Sequence, residues 1–117
     1  MFTVNGRSIA ISRGDTGILT FVFAGAELTD ADRAVFTVKR KSGGMICQKV
    51  IAPTDGKIYV PFTNDETDDW MPGVYEWDLR IVLDANTDAS GKVTDGREVI
   101  TPWEPSRFEV VRTVGQV

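Results

Sequence analysis

The side chains best suited to chemistry in this sequence are closely spaced carboxylates. Glu76 and Asp78 stand two residues apart, a spacing that places an acid and a base on one face of a strand. The chain has no histidine and a single cysteine, Cys47, so neither a Cys–His pair nor a thiolate metal cluster can form. We therefore expect Cys47 to pack, the acid pair to lie on a solvated sheet surface, and the protein to be no enzyme and to carry no cofactor.

A second group of polar residues has the spacing of a calcium loop. Asp84, Asn86 and Asp88 occupy the first three ligand positions, and Asp95 occupies the twelfth. Ala89 stands where the sharp turn requires glycine, and Asp95 is shorter than the usual bidentate glutamate. Of the two interpretations of Asp84–Asp95, a calcium site and a mobile loop tip, these departures favour the tip.

Residues 63–70 combine a helix start with a cluster of acids. An N-cap candidate precedes the acidic residues of 65–69, and such residues complement the positive end of a helix dipole. A divalent-ion site is the alternative interpretation, but a capped and solvated helix start explains the acids as well. We expect one short helical turn near 64–70, with Trp70 tucked against the core.

Composition excludes several classes of function. The chain has 117 residues, 42% of them hydrophobic and 26% charged, which predicts one folded domain over 1–117. The net charge of −4 argues against nucleic acid as a partner. The N-terminus lacks the pattern of a signal peptide, and no apolar stretch is long enough for a membrane span. We expect a soluble product made in a bacterial or comparable cytosol.

The elements that must position these groups are strands, and the strongest signal covers residues 74–83. Alternate side chains there are large and apolar, whereas Glu76, Asp78 and Arg80 lie between them. The apolar set is Tyr75, Trp77, Leu79, Ile81 and Leu83. Burial of each contributes roughly 1.5–3 kcal/mol, so we predict a central strand with one dry face around which the other strands pack.

Shorter alternating segments predict the remaining strands. These segments are residues 8–12, 18–24, 34–41, 45–51, 57–62, 97–101 and 106–113. Ser42–Gly44 predicts a tight hairpin, and residues 53–56 predict a turn in which Asp-Gly accepts positive φ. Pro61 cannot donate to a ladder, which indicates an edge strand.

The count of about seven to eight short strands, with no alternation of strands and helices, predicts an all-β fold. We expect an antiparallel two-sheet β-sandwich, immunoglobulin-like in broad architecture but without the Cys-Trp-Cys signature of antibody domains. A partly closed barrel is the alternative topology.

Two aromatic residues are candidates for binding. Trp103 lies between Pro102 and Pro105, which interrupt the strand pattern and could turn the ring outward. Trp70 is the second candidate. Exposed rings of this kind stack on sugars, so a carbohydrate-binding module is one hypothesis, whereas Tyr75 and Trp77 are expected in the core.

The order of the segments resembles a known family. Residues 11–17, 19–23 and 35–39 are followed by 55–58, 60–67 and 71–80, and together these pieces span nearly the whole chain. The succession is similar to the small β-sandwich domain of phage tail and baseplate proteins, the type at the N-terminus of baseplate upper proteins.

The resemblance implies a virion structural or docking role without a catalytic motif. It implies a location in the virion, and in the host bacterial cytoplasm before assembly. The expected partners are other phage structural proteins or further copies of this chain, as a homo-oligomer in assembly, with contact through complementary surfaces or an exposed strand edge. A large apolar strip along a strand edge would favour this hypothesis, whereas two coplanar exposed rings would favour the sugar hypothesis.

Overall fold

The protein is built mainly from strands, as a computed structural model that describes residues 2–25 and 27–112 shows. In chain order the elements are β1 (Phe2–Asn5), β2 (Ser8–Ser12), β3 (Gly17–Val22), β4 (Arg33–Lys39), β5 (Met45–Ile51), β6 (Lys57–Phe62), α1 (Asn64–Asp68), β7 (Gly73–Leu83), β8 (Asn86–Thr87), β9 (Val93–Asp95), β10 (Glu98–Ile100) and β11 (Ser106–Val111). The all-β prediction is confirmed, and so is the short helix near residue 64.

Each predicted strand is present, although several ends differ by one or two residues. The predicted strand 106–113 ends at Val111, and its expected last residue, Thr113, lies outside the described residues. Strands β1, β8 and β9 were not predicted. They are short, at four, two and three residues, and β8 and β9 lie within a polar segment that has no apolar alternation.

The largest sheet is mixed, which corrects the expectation of a wholly antiparallel arrangement. Its strand order is β1-β2-β11-β7-β4-β5, and β10 also pairs with β7. Strands β2 and β11 run parallel, with Ile9 opposite Phe108 and Ile11 opposite Val110. Because no hairpin joins two strands so far apart in the chain, no turn imposes an antiparallel direction on them.

Strand β7 lies at the centre of this sheet, as predicted. It pairs with β4 on one side and with β11 and β10 on the other. Its five alternating apolar side chains are at most 6% exposed, which confirms the predicted dry face. Val82 on the opposite face is buried as well, because the backbone at Gly96 passes over it so closely that a Cβ there would lie 2.3 Å from Val82 Cγ1.

Strands β3 and β6 form a separate antiparallel pair whose inward side chains join the same core. Leu19, Phe21, Ile58, Val60 and Phe62 are buried in one cluster with the dry face of β7. Ring contacts connect the pair to the larger sheet: the Phe21 and Trp77 centroids are 5.4 Å apart, and those of Phe36 and Phe62 are 6.0 Å apart. In the described part of the chain β6 pairs with β3 alone, so Pro61 lies on an edge strand as predicted.

The two predicted turns are confirmed. Strands β4 and β5 form an antiparallel hairpin with Gly43 at φ 109°. At the second turn Asp55 and Gly56 have φ values of 50° and 74°, and Thr54 and Lys57 exchange backbone hydrogen bonds across them. Two successive positive φ values define a type I′ turn, for which Asp-Gly is a preferred sequence.

Helix α1 begins with a capping box. The Thr63 hydroxyl accepts a hydrogen bond from the Glu66 backbone N–H, and the Glu66 carboxylate accepts one from the Thr63 backbone N–H at 3.0 Å. Trp70 follows the helix and is buried, as predicted. No helix among residues 2–25 and 27–112 has the length and apolar character needed to cross a bilayer.

Candidate functional site

A groove of about 450 Å³ lies between β1 and β3. One wall contains Phe2 and Val4 of β1, and the other is formed by five consecutive residues of β3, from 18 to 22. Successive residues of a strand point to opposite faces, so a wall made of consecutive residues presents the backbone edge of the strand. The outer edge of β3 therefore faces the groove.

Both strands beside the groove have one edge that no described strand pairs with. Within residues 2–25 and 27–112, strand β3 pairs only with β6, and β1 pairs only with β2. Edge strands in soluble proteins are usually protected by charges, proline or a bulge. Strand β3 has none of these: its sequence from Gly17 to Val22 is uncharged, and its register with β6 is continuous.

Most outward side chains around this edge are apolar, and Thr20 is the polar residue between Ile18 and Val22. Ile18 and Val22 are 63% and 62% exposed, and Val4 across the groove is 57% exposed. On the neighbouring strand Pro61 lies opposite Ile18, and Tyr59 lies opposite Thr20. Together these residues form an apolar strip along β3, which we call the β3 strip (Val4, Ile18, Val22, Tyr59 and Pro61). Such a strip is the feature that favours assembly over sugar binding.

Helix α1 fixes the start of β3, and with it one end of the groove. The Thr67 hydroxyl donates to the Asp15 carbonyl at 2.8 Å, and the Asn64 side-chain amide donates to the Gly14 carbonyl. The Arg13 Nε also donates to the Asp68 carbonyl at 2.7 Å. These bonds tie the helix to the turn between β2 and β3, so β3 leaves that turn in a defined direction.

Trp103 lines the groove and is not freely exposed. It is half-buried, with its ring centroid 6.1 Å from Phe21 and 6.4 Å from Trp77. The segment between β10 and β11 turns the indole toward the core. Its role as a binding residue stays a prediction, now placed in the wall of the groove.

Trp70 is a core residue by its contacts. It is 7% exposed, and it packs edge-on against Phe62 and Phe108 at centroid distances of 5.5 and 5.8 Å. An indole buried to this extent offers no free ring face for stacking, so its placement argues against the predicted binding role.

The other aromatic residues leave no pair of rings for a sugar platform in the described chain. Tyr75 and Trp77 are in the core as predicted, where the Tyr75 hydroxyl donates to the Met71 carbonyl and Trp77 Nε1 donates to the Arg7 carbonyl at 2.8 Å. Tyr59, at 39%, is the one aromatic side chain among residues 2–25 and 27–112 that is exposed and neither buried nor half-buried.

The acidic loop is a small hairpin whose carboxylate oxygens accept hydrogen bonds from groups of the protein itself. Asp84 pairs with Arg97 at 2.6 Å, and the Asn86 amide donates to Asp95. The pKa of Asp88 is lowered, most strongly by the hydrogen bond that it accepts from the Ser90 hydroxyl and further by those from the backbone N–H groups of residues 92 and 90. Within the described residues no three acidic or thiol side chains converge as a metal site would require.

The acid pair of the central strand lies on the outer face of the sheet, as expected. Glu76 has Lys39 and Arg107 as its cross-strand neighbours, and Asp78 lies opposite Thr37. Cations flank Glu76 on both sides, and the two half-buried acids line a groove of about 360 Å³ that strand β9 also lines. Cys47 is half-buried against the core, and burial raises the pKa of its thiol to about 11. The thiol is therefore protonated near neutral pH and is a poor nucleophile.

Sequence reasoning missed one buried carboxylate, Asp32, which is 4% exposed. It accepts hydrogen bonds from the Thr29 N–H at 2.8 Å and the Asp84 N–H at 2.9 Å. Burial raises its pKa, but these bonds, the Thr29 hydroxyl and the charge of Arg97 more than offset that effect, so the net pKa is lowered. Asp32 thereby joins the loop before β4 to the end of β7, and the Thr-x-x-Asp spacing is the signal that could have revealed it.

The apolar outer face of β3 was also missed as a site. Ile18 and Val22 alternate with Leu19 and Phe21, so the strand is apolar on both faces. A strand with two apolar faces is normally covered on both, and that is the signal in the sequence. Comparison with protein-family models found none that matches this chain, and comparison with curated protein sequences found none either.

Proposed function

We propose that this chain is a non-enzymatic structural or assembly module of a phage or prophage virion, of the tail or baseplate type, which acts by docking to other proteins. The supporting observation is the β3 strip beside a strand edge with which no described strand pairs. The order of the sequence segments resembles that of the small domain of tail and baseplate proteins, and this resemblance supports a tail or baseplate as the assembly. Its partners are other structural proteins of the particle or further copies of the chain.

The proposed architecture is a two-sheet β-sandwich, immunoglobulin-like in broad arrangement. In this proposal the mixed sheet is one layer, and the β3–β6 pair is a small second layer over its dry face. Ring contacts such as Phe21 with Trp77 support the layering, because they join side chains of the two sheets across one core. A second layer of two strands leaves the outer face of β3 uncovered.

The function is tested by locating the chain during particle assembly. In this proposal it is made in the host bacterial cytoplasm and ends in the virion. Particles from a producing strain would be separated on a density gradient, and the chain measured by quantitative mass spectrometry. We expect a fixed ratio of the chain to tail proteins across the particle peak, and tail particles of abnormal composition when its gene is deleted.

The proposal fails if the chain stays at the top of the gradient and deletion leaves the particles unchanged. A glycan array is the second readout. Saturable binding to one class of sugar, together with absence from the particles, would replace docking with carbohydrate recognition.

A further inference from the structure

We propose that the groove between β1 and β3 binds an extended segment of a partner protein, which adds as a strand to β3 with an acidic residue at its N-terminal end. This inference deepens the proposed docking function by naming its site and the chemistry of its ligand. Addition of a strand to a free edge is a common mode of peptide recognition.

The geometry of the groove favours a free strand over the edge of a second copy. The groove has a wall on each side, β1 and β3, both of which present open edges. In a second copy, β3 would carry its own β6 on one side and its own β1 wall on the other. Pairing two such edges brings both β1 walls into the contact, whereas a single extended segment meets only one.

The direction of the ligand follows from the direction of the two walls. Phe2 at the start of β1 lies against Gly17 at the start of β3, where an added Cβ would be 2.5 Å from the Phe2 ring. At the other end, the Arg7 carbonyl accepts from Trp77, whose ring lies 5.4 Å from Phe21. Strands β1 and β3 therefore run the same way. An inserted strand of opposite direction is antiparallel to both, which is the more stable pairing.

The charges beside the groove indicate where the acidic residue of the ligand binds. Arg7 is the one ionisable side chain among the described residues that line the groove, and it is exposed, with no ion pair to another of these residues. Lys57 lies opposite Val22 at the same end. A protein of net charge −4 thus has two cations at the end where an antiparallel ligand begins. The rest of the wall is uncharged, which fits a ligand of alternating apolar and small polar residues.

The experiment uses two synthetic peptides with blocked ends and the purified chain. In the first, an aspartate precedes six alternating valines and threonines; in the second, the same aspartate comes last. Binding is measured by NMR titration of the ¹⁵N-labelled protein. We expect saturable binding of the first peptide below about 1 mM, at least threefold tighter than the second. Alternate β3 amides should also become protected from hydrogen exchange, which is the signature of an added strand.

Variants locate the site. Ile18→Lys and Val22→Glu place charges on side chains that are already 63% and 62% exposed, so the fold should tolerate them, and each should weaken binding at least tenfold because it removes an apolar contact and, at Val22, repels the aspartate of the peptide. Arg7→Glu should weaken the first peptide at least tenfold, and the backbone carbonyl that holds Trp77 is retained. The matched controls Val99→Lys, at a valine that is 54% exposed outside the groove, and Arg40→Glu should leave binding unchanged.

Several results would overturn the proposal. The first is the absence of saturable binding for either peptide, and the second is binding by Ile18→Lys as tight as that of the wild type. The third is a concentration-dependent dimer that Ile18→Lys abolishes, because a second copy would then be the occupant of the groove. The peptide assay uses no virion. Failed peptide binding by a chain still found in particles therefore refutes only this inference, and peptide binding by a chain absent from particles refutes only the virion role.

Discussion

Among single residues, Asp32 makes stability depend on pH. Its pKa in the folded protein lies below the ordinary value of 3.8, so its contribution is fully present above that value and is lost as pH falls through the folded pKa. Asp32→Asn should cost about 1–3 kcal/mol near neutral pH, because a buried acceptor for two backbone N–H groups loses its charge. The difference from the wild type should shrink below about pH 4.

Urea unfolding at several pH values measures this effect. Asp30→Asn is the matched control, because Asp30 is exposed and lies two residues away, and it should change stability by less than about 0.5 kcal/mol. A wild-type advantage that stays constant from neutral pH to pH 2.5 would show that the charge of Asp32 is not responsible.

Cys47 provides a second prediction at this scale. With its pKa raised to about 11 by burial, the thiol should react with iodoacetamide at pH 8 about a hundredfold more slowly than a free cysteine. The rate is followed by mass spectrometry, with unfolded protein in urea as the control. An inflection in the pH–rate profile below pH 9.5 would contradict the packing role.

At the scale of elements, helix α1 is the feature that the local sequence determines most directly. Thr63→Ala should destabilise the protein by about 1 kcal/mol through loss of the N-cap. Thr63→Ser keeps the hydroxyl and should stay close to the wild type. Denaturant midpoints with a common slope distinguish the two, and equal midpoints for both variants would show that the cap contributes nothing.

The helix variant also tests how the groove is held. Because α1 is bonded to the turn before β3 through Thr67 and Asn64, loosening the helix should raise the hydrogen exchange of β3 amides more than that of β7 amides. A uniform increase over both strands would mean that the helix acts on global stability alone.

The elements were predictable where a local pattern carries the information. Alternation over residues 74–83 predicts β7, and Asp55-Gly56 predicts the turn before β6. Both features depend only on residues that are neighbours in the sequence. Strands β8 and β9 were missed because they are held by hydrogen bonds among polar groups, such as Thr94 to the Asn86 carbonyl, and not by an apolar face. The direction of β11 against β2 is not encoded by any turn, so the sequence pattern could not predict a mixed sheet.

For the whole molecule, the difference between features set by neighbouring residues and features set by distant contacts also explains which parts of the site were predicted. Trp103 was identified as unusual from its prolines, but the ring turns inward and lines the groove. The groove arises from two strands at opposite walls, β1 and β3, whose proximity depends on the complete fold. Only the apolar outer face of β3 was available in the sequence as a local signal.

The parallel pairing of β2 with β11 has a consequence for how the chain matures on the ribosome. Strand β11 fills the space between β2 and β7, and it contributes Phe108 and Val110, both fully enclosed. Until residues 106–111 emerge from the ribosome, the β1–β2 pair has no neighbouring strand in its sheet, and the core lacks the ring of Phe108. Closure must therefore await synthesis of residues 106–111 and join strands almost 100 residues apart, so we expect the native state to form slowly and the nascent chain to need protection until then.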